Sequence, residues 1–160
     1  MVLKEVTFSG GFPGASSTNR AEFHAKYAFS GEPNRFWHSK YVGKDGVIVC
    51  YDFQRRTIRP TSLSFQPRNR DFEAAKRQMP TRFQMVGTND AACQHDSPWT
   101  ILCEGISYET IETMNDHRGC AVDTRESCCS VAYSCVGLRV LTMKGDKVAT
   151  LSRVKIWTKF

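Results

Sequence analysis

The sequence predicts an all-β chain folded as an antiparallel sandwich of short strands. Three observations carry that reading. Segments with period-2 alternation, or with β-branched and aromatic runs, recur between turn residues along the whole chain. Eleven glycines and six prolines are spread over 160 residues and interrupt any long helix. Only one stretch carries helix start and stop signals.

The strands expected in chain order are Val2 to Phe8, Phe23 to Phe29, Val47 to Phe53, Thr57 to Gln66, Arg82 to Gly87, Trp99 to Cys103, Ser107 to Ile111, Ser130 to Tyr133, Gly137 to Thr142 and Leu151 to Thr158. The helix is expected over Asp71 to Met79. Asn69 or Arg70 precedes it, Asp71 and Glu73 load its first turn, Lys76 and Arg77 load its last, and Pro80 stops it. Phe72, Ala75 and Met79 then share one face. With no internal repeat, low-complexity stretch or linker, residues 1–160 read as a single domain.

Composition excludes several classes. At 41% apolar and 24% charged residues, the chain has the balance of a folded domain rather than of a disordered or coiled-coil one. The longest apolar runs, around Val47 to Tyr51 and Val136 to Leu141, fall far short of the roughly 20 residues of a membrane span. The first twenty residues hold Lys4, Glu5 and Arg20 and no leader-like apolar core, so a cytoplasmic protein is expected, with a secreted mature chain as the alternative.

Charge is unevenly distributed. Gln54 to Arg82 carries a net +6, whereas Gly87 to Ser127 carries a net −6. A formal charge of +6 for the whole chain therefore does not imply a nucleic-acid partner, which would need a continuous basic face with stacking aromatics.

Seven cysteines, Cys50, Cys93, Cys103, Cys120, Cys128, Cys129 and Cys135, leave at least one unpaired in a monomer. No CxxC pair has a matching His or Cys pair, which argues against a zinc site, and a reduced chain is expected. The alternative is two or three disulfides tying Cys93 or Cys103 to the Cys120 to Cys135 region. Adjacent Cys128 and Cys129 read as small core residues rather than a vicinal disulfide. The local pairings Cys93 with His95 and Cys120 with His117 are the nearest approach to a nucleophile and base, and no hydrolase, phosphate-loop, dinucleotide or metalloprotease motif accompanies them. No catalytic residue and no cofactor are assigned.

Several motifs in order resemble a discoidin (coagulation factor 5/8 type C) domain. Ala15-Ser16-Ser17 and the stretch Tyr27 to Ser39, with its Phe36-Trp37-His38-Ser39, are similar to the family's opening. They are followed by Val47 to Phe53, Leu63-Ser64-Phe65, Arg82 to Asp90, Pro98 to Leu102, Val136 to Val140 and Val154 to Trp157. The resemblance implies a galactose-binding-like jelly roll with at most one or two short helices, whose loops at one end bind a ligand without catalysis. It also implies a site built from Arg68 or Arg70, Arg77 and Lys76 of the Gln66 to Met79 loop, with His38 or Tyr41 opposite. Arginine suits this task because its guanidinium fixes paired oxygens bidentately. Ser30 stands where calcium-binding relatives have Asp, and Glu32, Asn34 and Ser39 alone make a thin oxygen set, so no metal is expected. The partner implied is a glycan or another polyhydroxyl or anionic ligand, read in lectin-like fashion. The alternatives are a protein partner in a cytosolic assembly and an anionic membrane surface. Trp37 and Trp99 are expected in the core rather than at the ligand.

Overall fold

A computed structural model describes residues 2–122 and 131–159. Its strands are β1 (Leu3–Glu5), β2 (Phe12–Ala15), β3 (Trp37–His38), β4 (Val47–Asp52), β5 (Pro60–Gln66), β6 (Pro80–Thr88), β7 (Thr100–Ile106), β8 (Arg118–Ala121), β9 (Cys135–Met143) and β10 (Thr150–Lys159). One α-helix, α1 (Phe72–Gln78), and two single 3₁₀ turns at Ala21–Phe23 and Ala25–Ala28 complete the described elements. No helix among the described residues is long and apolar enough to cross a membrane.

The strands form two antiparallel sheets. One runs β1-β10-β5-β8, with β3 also pairing β10, and the other runs β2-β4-β9-β6-β7. In the second sheet β9 lies between β4 and β6, and its alternate residues Val136, Leu138 and Val140 are wholly buried. Leu138 faces Val49 on one side and Met85 on the other, so the period-2 pattern of three strands meets in one layer. Phe65 and Ile156 of the opposite sheet close the core, and the Phe65 ring meets Phe83 edge-to-face at 4.8 Å. Trp37 is fully buried and donates its indole N–H to the Ser17 carbonyl at 3.1 Å.

The helix forms inside the expected span, but the residue that caps it is Asp71, expected in its first turn, rather than Asn69 or Arg70. Asp71 is the N-cap, in a left-handed conformation at φ 57°, and its carboxylate accepts from Ala74 N. Ala75 and Met79 are buried and Phe72 packs against the core, as the shared face requires. The helix is tied to the β9–β10 hairpin: Lys144 N donates to Met79 O, and Gly145 N and Asp146 N donate to Arg77 O.

Other expectations are corrected. Phe23 to Phe29 is not a strand, because Ala25 and Ala28, three apart, are the buried residues and His24 Nδ1 accepts from Lys26 N to cap a 3₁₀ turn. Ser107 to Ile111 forms no strand, since only Ile111 of it is buried. Of the expected Ser130 to Tyr133 strand, Ser130 lies outside the described residues, and Tyr133 makes an isolated bridge with Ile58. Trp99 is half-exposed, packed over Ile48, Cys50 and Cys135 rather than inside the main core.

The expectation of a reduced chain is overturned at four cysteines, and the alternative pairing stands. Cys93 is bonded to Cys135 and Cys103 to Cys120, leaving Cys50 as a buried free thiol among the described residues. The sulfurs can meet because the sheets bring β7 beside β8 and set the loop after β6 over the start of β9, with Cα separations of 5.8 and 6.0 Å. Cys128 and Cys129 lie outside the described residues. Closing chain separations of 17 and 42 residues stabilises by about 3 and about 4 kcal/mol in the chain-entropy model.

Two measurements check this architecture. Phe65→Ala is expected to cost about 3–5 kcal/mol in urea denaturation, the range for removing a fully buried aromatic ring, and a loss under 1 kcal/mol would contradict the core described. Thiol titration of denatured, unreduced protein should find at most three free thiols, whereas a count near seven would show that neither bond forms.

Candidate functional site

Three of the residues singled out in the sequence, His38, Arg68 and Arg70, are arranged around the rings of Phe23 and Phe36. The short β3 pairing, Leu151 with Trp37 and Thr150 with His38, sets Phe36 and His38 on either side of the buried Trp37. Phe36 is buried and stacks on the half-exposed Phe23 at 5.1 Å, and Phe23 also lies 5.1 Å from the His38 ring. The Arg68 guanidinium lies over the Phe36 ring at 4.1 Å, with that of Arg70 at 5.9 Å. A hollow of about 50 Å³ opens here, lined by Glu22, Phe23, Asn34, Arg35, Phe36 and Arg70.

Arg68 is held from behind. Its Nη1 donates to Gln78 Oε1 at 2.9 Å and its Nε to the Arg70 carbonyl at 3.0 Å. Burial lowers its pKa, Asp71 opposes that shift, and Arg70 and Arg77 add to it, yet a guanidinium stays charged. Gln78 is buried and both ends of its amide are hydrogen-bonded. Its oxygen also accepts from Thr150 Oγ1, and its nitrogen donates to Asp146 Oδ2. Arg68 therefore positions the loop, and Arg70 and Arg35 are the exposed arginines that line the hollow.

His38 is half-buried, and its Nδ1 lies 2.6 Å from the Ser39 carbonyl. A carbonyl only accepts, so Nδ1 carries the proton and Nε2 is left as an acceptor whenever the ring is neutral. Burial is the largest influence and lowers the His38 pKa below 6.5. The Ser39 hydrogen bond and Asp146 oppose it, while Arg68 and Arg20 reinforce it. The fold therefore favours the neutral ring.

The remaining residues of the set stand apart. Lys76 pairs with Glu73 at 3.3 Å and covers Phe72 at 4.6 Å on the outward side of α1. Arg77 is exposed, and its carbonyl serves the β9–β10 hairpin. Tyr41 is exposed beside Lys147, 5.6 Å from its ring centroid. Phe23, Glu22, Arg35, Gln78 and Asp146 were not anticipated, and Asn34 was weighed only as a calcium oxygen. The only sequence signal for the first of these was an aromatic in a segment misread as a strand.

The hydroxyls near the calcium-type oxygen set are already engaged. Ser39 is fully buried, donates to the Lys40 carbonyl and accepts from Ala149 N. Ser30 Oγ accepts from Glu32 N, and the Arg153 guanidinium lies against Gly31. Both Cys and His pairings lose their nucleophile, because Cys93 and Cys120 are disulfide-bonded. His117 instead hydrogen-bonds Gln66 at 3.0 Å.

Neither a protein-family model nor a curated protein sequence matches the chain. Solved structures do. The family 32 carbohydrate-binding module of NanJ from Clostridium perfringens, solved with galactose, is 15% identical, with 98% of this chain and 99% of that one covered at a TM-score of 0.69. A second such module from Clostridium perfringens, solved with GalNAc-β-1,3-galactose, is 16% identical over 96% and 99% of the two chains at 0.72. An F5/8 type C domain from Bacteroides fragilis is 13% identical over 98% and 97% at 0.70. End-to-end coverage in both directions, with two antiparallel sheets in the strand orders given above, means that the chain has the galactose-binding-like jelly-roll fold of discoidin and family 32 carbohydrate-binding domains.

Proposed function

We propose that the chain is a non-enzymatic, lectin-like module that binds a glycan at the hollow beside Phe23. The observation that carries this reading is that the half-exposed Phe23 ring and the exposed Arg70, Asn34 and Glu22 line one hollow, with the His38 ring 5.1 Å from Phe23. A sugar has an apolar C–H face and a rim of hydroxyls. Phe23 offers a surface for the face, and Arg70, Asn34, Glu22 and His38 Nε2 offer donors and acceptors for the rim. A hollow of about 50 Å³ takes one edge of a pyranose and leaves the rest in water, as suits a terminal residue of a longer chain. The modules of similar fold crystallised with galactose and with GalNAc-β-1,3-galactose make those sugars the first ligands to try.

Titration calorimetry with galactose and GalNAc-terminated glycans tests the site. Arg70→Ala should weaken binding at least tenfold, because a charge-assisted hydrogen bond contributes about 1.5–3 kcal/mol, and Arg70→Lys should recover little of a bidentate contact. Phe23→Ala should lose a comparable amount, whereas Lys76→Ala should change nothing. Unchanged affinity in both Arg70→Ala and Phe23→Ala would remove the site from this hollow.

The pH dependence follows from His38. The fold favours its neutral form, so its contribution to binding and stability is present above pH 6.5 and is lost as the pH falls through the depressed folded-state value. Affinity should be flat from pH 8 to 7 and decline only below 6.5. An affinity that rises on acidification would mean that the imidazolium, not the neutral ring, meets the ligand.

A further inference from the structure

Away from the hollow, three sulfurs meet where β4, β9 and the loop of residues 89–99 converge. The Sγ atoms of Cys50, Cys93 and Cys135 all lie within 4.8 Å of one another. Cys50 and Cys135 sit on adjacent strands whose ladder pairs Cys50 with Gly137 and Cys135 with Asp52, and both are buried. Cys93 hangs from the loop, is half-buried and adopts φ 46°. That loop is fastened on both sides of it, by Ser97 Oγ donating to Asp90 at 2.6 Å and Trp99 Nε1 donating to the Gln94 carbonyl at 3.0 Å.

With Cys93 bonded to Cys135, Cys50 is a third sulfur left over, 3.8 Å from the Cys93 sulfur. A small buried hydrophobe would fill the same space, but three sulfurs on two strands and a loop match the demands of a metal ion. An ion bonded tetrahedrally to sulfur at about 2.3 Å keeps its sulfurs about 3.8 Å apart, the spacing of Cys50 and Cys93. We propose that when the Cys93–Cys135 bond is reduced, Cys50, Cys93 and Cys135 form a three-thiolate site for a soft divalent ion of the zinc type, with water in the fourth position on the loop side.

The chemistry balances. A dithiol reductant supplies two electrons and two protons, the Cys93–Cys135 bond becomes two thiols, and the reductant leaves as its own disulfide. Metal binding then forms three metal–sulfur bonds and releases three protons, one from each thiol. The two strand cysteines stay in place, and Cys93 swings on its loop to open the S–S pair. Without an ion Cys50 is inert, since burial, reinforced by Asp52, pushes its thiol up to about 12. Coordination removes that proton outright. Two charges against three leave the centre at −1, and Arg55 lines the neighbouring hollow with Asp52, Gln54 and Asn89. Sulfur ligands favour zinc-type ions over calcium or magnesium. The same corner is then joined by a covalent bond in oxidising surroundings and by an ion in reducing ones.

The test uses the full chain reduced with a phosphine under anaerobic conditions and titrated with Co²⁺ as a spectroscopic probe. Sulfur-to-cobalt charge-transfer and tetrahedral d–d bands should saturate at an ion that Zn²⁺ displaces. Cys50→Ala should lower the affinity at least tenfold, whereas the double change Cys103→Ala, Cys120→Ala should leave it intact. Should Cys50→Ala fail to fold, Cys93→Ser on the exposed loop replaces it with the same expected loss. A reduced chain without these bands, or bands unchanged by Cys50→Ala or Cys93→Ser, would overturn the proposal.

Discussion

The structure depends on the position of β9 between β4 and β6. Because Leu138 must face Val49 and Met85 together, a slip of one residue would turn Val136, Leu138 and Val140 away from the core and expose their backs to it. That register fixes where the β9–β10 hairpin turns, and the hairpin in turn holds the C-terminal end of α1 through Arg77 and Met79 carbonyls. The Gln66 to Met79 segment is thereby suspended from the buried β4–β9–β6 ladder. It is also tied through β3 and β10 to Trp37, the largest buried side chain.

How much of this was legible depended on whether a segment's pattern had a single physical explanation. β4, β5, β6, β9 and β10 alternate or run apolar because they face a core, and their ladders appear where that pattern places them. The helix was legible through charge at its ends and Pro80 after it. Phe23 to Phe29 was not, since Phe23, Ala25, Tyr27 and Phe29 alternate as a strand would while Ala25 and Ala28 satisfy a 3₁₀ turn, and only tertiary packing chooses between them. β8 was invisible for the opposite reason. Arg118-Gly119-Cys120-Ala121 has no strand propensity and is held by its ladder to β5 and the bond from Cys120 to Cys103. At the candidate site, His38, Arg68 and Arg70 could be named from motif order. Phe23 and Asn34 could not, because their nearness to Arg70 is made by loops.

Charge shows the same separation between sequence and space. The segment from Gln54 to Arg82 is strongly basic along the chain, yet its arginines disperse on folding. Arg56 donates to the Thr7 carbonyl and lies 5.0 Å over Phe53, Arg68 is half-buried against Phe36, and Lys76 is matched by Glu73. What is left at the hollow is a small number of positioned groups rather than a continuous basic face.

Gln78 separates frame from opening in this arrangement. Its single amide joins Arg68, Asp146 and Thr150, three residues from three segments, and none of the three reaches the rim of the hollow. The node keeps the frame constant while the residues that line the opening, Arg70 and Asn34, hang from exposed backbone on the outer side. Side chains around the hollow can be exchanged one at a time without touching this node, whereas loss of the amide at position 78 would take from the half-buried Arg68 guanidinium one of its two hydrogen bonds and from Asp146 and Thr150 their shared partner.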